Sequence, residues 1–224
     1  DNGHGTHCAG TIGGVNNHTG SGITGIAQKV QLMACKFSDA NGIGSTSDAI
    51  TCIDYALNHG AKIINCSWGG PNNVFSLYQE LQKAQSKGVI VVAAAGNDAL
   101  NDDQGSFYPA SYQLDNVVTV AATAPGDDFA YFSNYGPTTV QLAAPGLNIY
   151  SAYADSDHSY GVASGTSMAA PYVVGALALL KAKFPNDSSK TTISRLLNST
   201  DQLPILVGRT VAGRLNIAKA LGAR

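Results

Sequence analysis

Glutamate is almost missing from this chain. Of 15 acidic residues only Glu80 is one, which excludes a mechanism built on paired glutamates and leaves aspartates to supply any carboxylate. Charge of either sign is scarce, at 12% of 224 residues, and the net charge is −2. No basic field is therefore present to recruit nucleic acid or an acidic membrane surface. No stretch of 18 apolar residues offers a membrane span, and no signal-peptide pattern is present, which is uninformative because the chain opens at Asp1 inside a motif. The four cysteines, Cys8, Cys35, Cys52 and Cys66, contain no C-x-x-C pair, which argues against a zinc knuckle. Cys35, Cys52 and Cys66 lie in apolar segments and read most simply as buried free thiols, although spacing does not say whether two are bridged.

What the chain has in quantity is apolar residues, 44% of the total, enough for one domain with a sizeable core. β-branched apolar runs at 30–37, 62–68, 89–95, 117–122 and 140–144 alternate at first with helical patterns. Ser45 and Asp48 make a capping-box-like start. Ile50, Ile53, Ala56 and Leu57 then recur at helical spacing, and Gly60 supplies the stop. A second helix over 74–87 ends at Gly88. Such strand–helix–strand units predict an α/β, three-layer sandwich: a mostly parallel sheet with right-handed crossovers, flanked by helices on both faces. After Val117 the connections carry turn chemistry (Pro125-Gly126, Asn134-Tyr135-Gly136, Pro145-Gly146), which predicts antiparallel pairing there. A helix is expected near 188–197, then a short hairpin or helix.

The segment 168–180 is too uniformly apolar for a surface helix and too short to span a membrane, so a buried central helix is predicted. Pro171 is tolerated only near a helix start, so that helix should begin close to Ser167. Ser167 then stands at the positive end of a buried helix, with small neighbours that admit another chain. An inert N-cap serine is the plain alternative.

In open α/β sheets function gathers beyond the carboxyl ends of strands. Asn41-Gly42-Ile43-Gly44, Ser67-Trp68-Gly69-Gly70 and Ala94-Ala95-Gly96-Asn97 all fall there. Each is small or glycine-rich, which leaves backbone groups to pair with an extended guest peptide; ordinary turn glycines are the alternative. His4, on the first turn of a small-residue helix, is a candidate general base. A satisfied structural histidine competes, as does a metal pair with His7, although the H-E-x-x-H glutamate and a third ligand are missing. Asn97, after Gly96, is placed to donate to an oxyanion together with the Ser167 amide, or is simply a turn asparagine.

Four motifs then stand in order: Asn2-Gly3-His4-Gly5-Thr6-His7-Cys8-Ala9-Gly10, Ser67-Trp68-Gly69-Gly70, Ala93-Ala94-Ala95-Gly96-Asn97 and Ser164-Gly165-Thr166-Ser167-Met168-Ala169-Ala170-Pro171. Together they resemble the subtilisin-like serine proteases, nearer the proteinase K and thermitase branches, over essentially the whole chain. The resemblance implies a secreted serine endopeptidase in which His4 is the triad base, Ser167 the nucleophile and Asn97 the oxyanion donor. It makes Gly42, Ile43 and Gly44, facing Ser67, Trp68 and Gly69, two walls that sandwich a polypeptide substrate as an added strand. Ala94, Ala95 and Gly96 would line an open, apolar-leaning pocket. The implied partners are polypeptide substrates, a pro-peptide or protein inhibitors, with neither nucleic acid nor membrane, and monomer is the default state.

The family order is Asp, His, Ser, yet only Asp1 precedes His4. Residues 1–224 are therefore expected to be one peptidase domain lacking the amino-terminal segment that carries the triad aspartate. Structural calcium is implied by resemblance at 15–20, with Asn17 as a ligand and no catalytic cofactor. At a second family site Gln141 replaces an aspartate. Asp102-Asp103 and Asp127-Asp128 read as solvated loops. An α/β-hydrolase lipase needs histidine after serine, whereas all five histidines precede Ser167. A non-catalytic peptide-binding relative is the remaining alternative.

Overall fold

The computed structural model describes residues 2–15 and 22–223. The helices among them are α1 (His4–Gly13), α2 (Thr46–Asn58), α3 (Phe75–Ser86), α4 (Thr166–Lys183), α5 (Ser189–Leu197) and α6 (Ile217–Ala220). The strands are β1 (Ile63–Cys66), β2 (Ile90–Ala94), β3 (Val117–Thr123), β4 (Leu142–Pro145), β5 (Ile149–Ala152) and β6 (Tyr160–Ala163). Strands β1 to β4 form a parallel sheet in that order, and β5 and β6 make a separate antiparallel hairpin.

The helix boundaries follow local chemistry. The Ser45 hydroxyl accepts the Asp48 amide at 3.1 Å and caps α2, and Ser188 caps α5 through Thr191 at 3.1 Å. Gly60 and Gly88 end their helices in the left-handed region, at φ 84° and 69°.

Period-2 alternation along the strands divides the core into two layers. Ile90 and Val92 of β2 face one way with Val118, Val120 and Leu142, against Ala169, Ala170, Val173, Ala176 and Leu177 of α4. Val91 and Ala93 face the other way with Val117 and Cys66, against Ile53 and Leu57 of α2 and Leu77 and Leu81 of α3. Helix α4 thus lies along one face of the sheet and α2 and α3 along the other, the expected three layers. Every side chain of β2 and β3 is buried, which accounts for their uninterrupted apolar runs.

Two expectations need correction. The run 30–37 joins no ladder; positions 31–36 are exposed, and a β-branched run becomes a strand only where a neighbour pairs with it. Cys35, expected as a buried thiol, is exposed and bonded to Cys52 of α2, which ties this run to the body. Second, β3 and β4 pair parallel with only a single 3-10 turn, Pro125–Asp127, and no α-helix between them. The connection instead folds over the carboxyl ends of the sheet, where Ala130 N–H donates to Ala122 C=O at 3.0 Å and Asn134 N–H to Gly96 C=O at 2.9 Å. The antiparallel pairing appears later, in β5–β6.

Reducing the Cys35–Cys52 bond frees a loop of 17 residues, worth about 3 kcal/mol as chain entropy. Because 30–37 has no ladder to hold it, reduction should raise amide exchange and protease cleavage there first. Amides of β2 and β3 should stay protected; equal deprotection of both regions in an exchange experiment would contradict this.

Candidate active site

Helix α4 starts at Thr166, and Ser167 occupies its first turn. Pro171 lies one turn further in, inside the helix, whose start falls close to Ser167 as expected from the sequence. A proline has no N–H to donate to the carbonyl four residues back. The carbonyl so released is that of Ser167, and two outside donors take it: the Ser67 hydroxyl at 2.8 Å and the Cys8 thiol at 3.4 Å. The Ser167 hydroxyl returns a bond to the Ser67 carbonyl at 3.1 Å. Ser167 is thus doubly tied to the carboxyl end of β1.

His4 opens α1, and Cys8 lies one turn below it on the same face. Since the Cys8 thiol reaches the Ser167 carbonyl, the His4 end of α1 is brought to the amino-terminal end of α4. His7 is fully buried, with Nε2 donating to the Ile149 carbonyl at 2.9 Å and Nδ1 without a partner among the described residues. The Ser151 hydroxyl donates to the His7 carbonyl at 2.8 Å and fixes α1 to β5. Close approach there requires Gly10, where a Cβ would stand 2.5 Å from Ser151 Oγ. Burial, and next the proximity of His7, push the His4 imidazole below its ordinary value. It is therefore neutral at pH 7 and free to accept a proton. Burial holds the Cys8 thiol at about 11 and that of Cys66 at about 12, so neither is a competing nucleophile.

Asn97 follows β2 at the adjacent strand end. Its Oδ1 accepts both the Thr166 amide at 2.8 Å and the Thr166 hydroxyl at 3.0 Å. With the oxygen committed, the free end of the amide is the donor Nδ2. The Thr166 oxygen in turn accepts the Gly96 amide at 3.1 Å. Gly96 has φ 118°, and a Cβ there would lie 2.4 Å from Asn134 Nδ2, so no other residue fits. The β1–β2 register pairs Cys66 with Ala93, which sets Ser67 beside Ala94 and brings Ala94, Ala95 and Gly96 against the Ser67 segment. Phe107 closes the space between them, within 2.3 Å of a Cβ at Gly69 and 3.4 Å of one at Gly96. Trp68 is edge-on to Phe37, with ring centroids 5.3 Å apart.

The other wall departs from expectation. Gly42, Ile43 and Gly44 sit in a turn closed by a bridge from Ser38 to Gly44. The Ile43 carbonyl accepts from the Asp39 amide at 2.8 Å, and its N–H donates to Asp39 Oδ1 at 3.0 Å. Ile43 therefore has no free backbone group as folded, since the turn uses both. Its side chain, 70% exposed, is what it presents.

Of the residues considered for calcium, Asn17 lies outside the described residues, and Gln141 Oε1 is spent on the Thr119 amide at 2.6 Å. No group of three His, Cys, Asp or Glu fit to hold a metal occurs among the described residues. Of the acidic pairs expected in solvated loops, Asp103 and Asp128 are exposed and Asp127 half-buried, while Asp102 is buried. Asp127 pairs with Arg214, and Asp103 accepts the Thr139 amide at 2.9 Å. Asp102 is 4% exposed and accepts from Asn134 Nδ2 at 2.9 Å, with its second oxygen unpartnered. Nothing in an Asp-Asp dipeptide signals which of the two faces inward. No carboxylate among the described residues hydrogen-bonds to His4.

The family model described as the subtilase family matches residues 1–222. Subtilisin DY of Bacillus licheniformis is 39% identical over 203 residues, covering 90% of this chain and 72% of that protein. Thermitase of Thermoactinomyces vulgaris is 39% identical over 220 residues, 98% of this chain and 75% of that protein. An alkaline protease of Alkalihalobacillus alcalophilus is 41% identical over 203 residues, of which the chain spans 50%.

Burial, reinforced by Asp103 and Asp98, raises the Asp102 carboxyl from an ordinary 3.8 to about 7. Between those values the folded chain holds a proton that the unfolded chain has released, so this group's contribution to stability falls as pH rises. Asp102→Asn cannot ionise. Its thermal midpoint relative to the parent should therefore rise from about pH 5 to about pH 8; a difference independent of pH would contradict a buried, titrating carboxyl.

Proposed function

The chain belongs to the subtilase family of serine endopeptidases, and from that premise we propose that Ser167, His4 and Asn97 are its nucleophile, general base and oxyanion donor. The observation that carries this assignment is the tethering of Asn97. Both its bonds to Thr166 use the oxygen, so Nδ2 is left to point at charge developing beside Ser167. The Ser167 N–H, in the first turn of α4, has no acceptor among the described residues and is the second donor.

In the mechanism proposed, an extended polypeptide pairs along the Ser67–Gly69 segment. Its N–H displaces the Ser167 hydroxyl from the Ser67 carbonyl, which turns Oγ toward the substrate and His4. Oγ attacks the carbonyl carbon as neutral His4 takes the proton. The carbonyl oxygen gathers negative charge against Asn97 Nδ2 and the Ser167 amide. The C–N bond breaks as His4 returns the proton to the leaving amine, and water hydrolyses the acyl-enzyme by the same route. The Ser-His-Asp scheme is the general one for such enzymes. The carboxylate that orients His4 is assigned to an aspartate from outside these 224 residues. Small Ala94, Ala95 and Gly96 beside Phe107 support a broad, apolar-leaning preference. The Cys35–Cys52 disulfide supports secretion into an oxidising compartment. No described helix is long and apolar enough to cross a membrane.

One observation favours the non-catalytic alternative: the Ser167 hydroxyl donates to Ser67, not to His4. A fluorophosphonate separates the two readings. Labelling forms the Ser167 Oγ–P bond, expels fluoride and passes the hydroxyl proton to His4. It should occur in the full-length protein, vanish in Ser167→Ala and slow in His4→Ala. Asn97→Ala should slow it by about 10²–10³. An intact full-length protein that resists the reagent is a peptide binder.

A further inference from the structure

Asn134, read from sequence only as a turn residue, is 99% buried in the connection between β3 and β4 and brackets Asn97 from behind. Its own N–H donates to the Gly96 carbonyl at 2.9 Å. Its Nδ2 donates to the Ala95 carbonyl at 3.1 Å and to Asp102 Oδ1 at 2.9 Å. Its Oδ1 accepts the amides of Asp98 at 2.9 Å and Leu100 at 3.1 Å. The carboxamide has two donor hydrogens and two acceptor lone pairs, and all are used. The last sheet bond of this strand is from Ala95 N–H to Val120 C=O at 3.0 Å. Beyond it, Asn134 holds Gly96 through its own N–H and Ala95, Asp98 and Leu100 through its side chain, on both sides of Asn97.

The backbone partners make the arrangement one-way. The Asp98 and Leu100 amides only donate and the Ala95 carbonyl only accepts, so Asn134 Oδ1 faces the former and Nδ2 the latter, where Asp102 Oδ1 is the second acceptor. Asp102 is itself fixed, since its N–H donates to the Tyr135 carbonyl at 2.7 Å. Next to it, Tyr135 N–H donates to Leu100 C=O at 3.0 Å and Ala99 N–H to Phe132 C=O at 2.9 Å. Residues 95–102 are thereby zipped to 132–135.

We propose that Asn134 is a positioning residue for the oxyanion donor: its carboxamide, with Asp102 as second acceptor, fixes the backbone on both sides of Asn97 and so aims Nδ2. This rests on the assignment of Asn97 made above. Asn134 touches no substrate and acts only through the Ala95–Leu100 backbone. A preorganised donor is worth most where it cannot reorient, so loosening its base should reduce transition-state stabilisation and leave ground-state binding alone.

The test is a double-mutant cycle on the rate of Ser167 labelling by a fluorophosphonate, and on kcat and KM for a peptide substrate, in the full-length protein. Asn134→Ala should slow labelling and lower kcat by about tenfold or more, with KM changed less than about twofold. In an Asn97→Ala background the same substitution should change labelling less than about twofold. Equal losses with and without Asn97 would mean general damage to the fold and overturn the proposal. Where Asn134→Ala does not fold, Asp102→Asn keeps the shape and removes a buried charge. It should give a smaller loss, about threefold, with the same dependence on Asn97; no loss, or a loss independent of Asn97, overturns it. If Asn97→Ala alone leaves labelling unchanged, the oxyanion assignment itself falls and this inference with it. If Asn97→Ala slows labelling and Asn134→Ala does not, only the inference falls.

Discussion

The site depends on a helical hydrogen bond that is not made. Pro171 cannot donate to the Ser167 carbonyl, and a carbonyl left unpaired inside the molecule costs about 1–3 kcal/mol. Two donors from different elements take the vacant position, the hydroxyl of Ser67 after β1 and the thiol of Cys8 on α1. A defect in one helix becomes a three-way junction of α1, α4 and the sheet edge. A helix with an ordinary residue at 171 would satisfy Ser167 internally and have no need of either neighbour. The same substitution that weakens α4 locally is what registers it against the groups needed for chemistry.

Around that junction the Asn97 carboxamide, the Ser167 backbone and helix α1 are each held by a group that the proposed chemistry does not use. Asn97 is tied through oxygen and keeps its donor; Ser167 is tied through its carbonyl and keeps a free amide; α1 is anchored by His7 so that His4 is not. Burial lowers the proton affinity of His4 and raises the pKa of the Cys8 thiol, so the imidazole is a neutral acceptor and the nearby sulfur stays inert. Low dielectric thus leaves His4 and Ser167 as the proposed base and nucleophile, with the nearby thiols protonated. Behind the site, the chain between β3 and β4 crosses the strand ends and supplies Asn134. Within it Ser133 and Asn134 are buried, the latter against Asp102, whose carboxyl burial pushes up to about 7.

The two cation clusters away from the site do different work. Arg214 reaches both Asp127 and Asp201, which also meets Lys219, and so pins the carboxyl-terminal segment to the turn after β3. Arg195 pairs with Asp187 at 2.9 Å and lies 3.9 Å over the Phe184 ring, closing the end of α4 onto α5. Both clusters secure the far side of the sheet and leave the strand ends uncluttered.

Local signals were legible in the sequence. The cap at Ser45, stops at Gly60 and Gly88, the buried run after Ser167 and four of the apolar runs each act over a few residues, and each formed the element expected. The candidate site was legible through four motifs whose small residues are dictated by close backbone approach. What could not be read was which distant groups share a hydrogen bond. The Cys35–Cys52 bridge, the unladdered run 30–37, the parallel pairing of β3 with β4, the spent backbone of Ile43 and the inward turn of Asp102 all depend on neighbours far along the chain. The sequence by itself determined helix ends, core periodicity and the residue types at the strand ends, because propensity and capping are properties of contiguous residues. Only the tertiary structure decided that Asn134 would stand behind Asn97 and that Ser67 would take the bond Pro171 refuses, because those partners meet through the topology of the sheet.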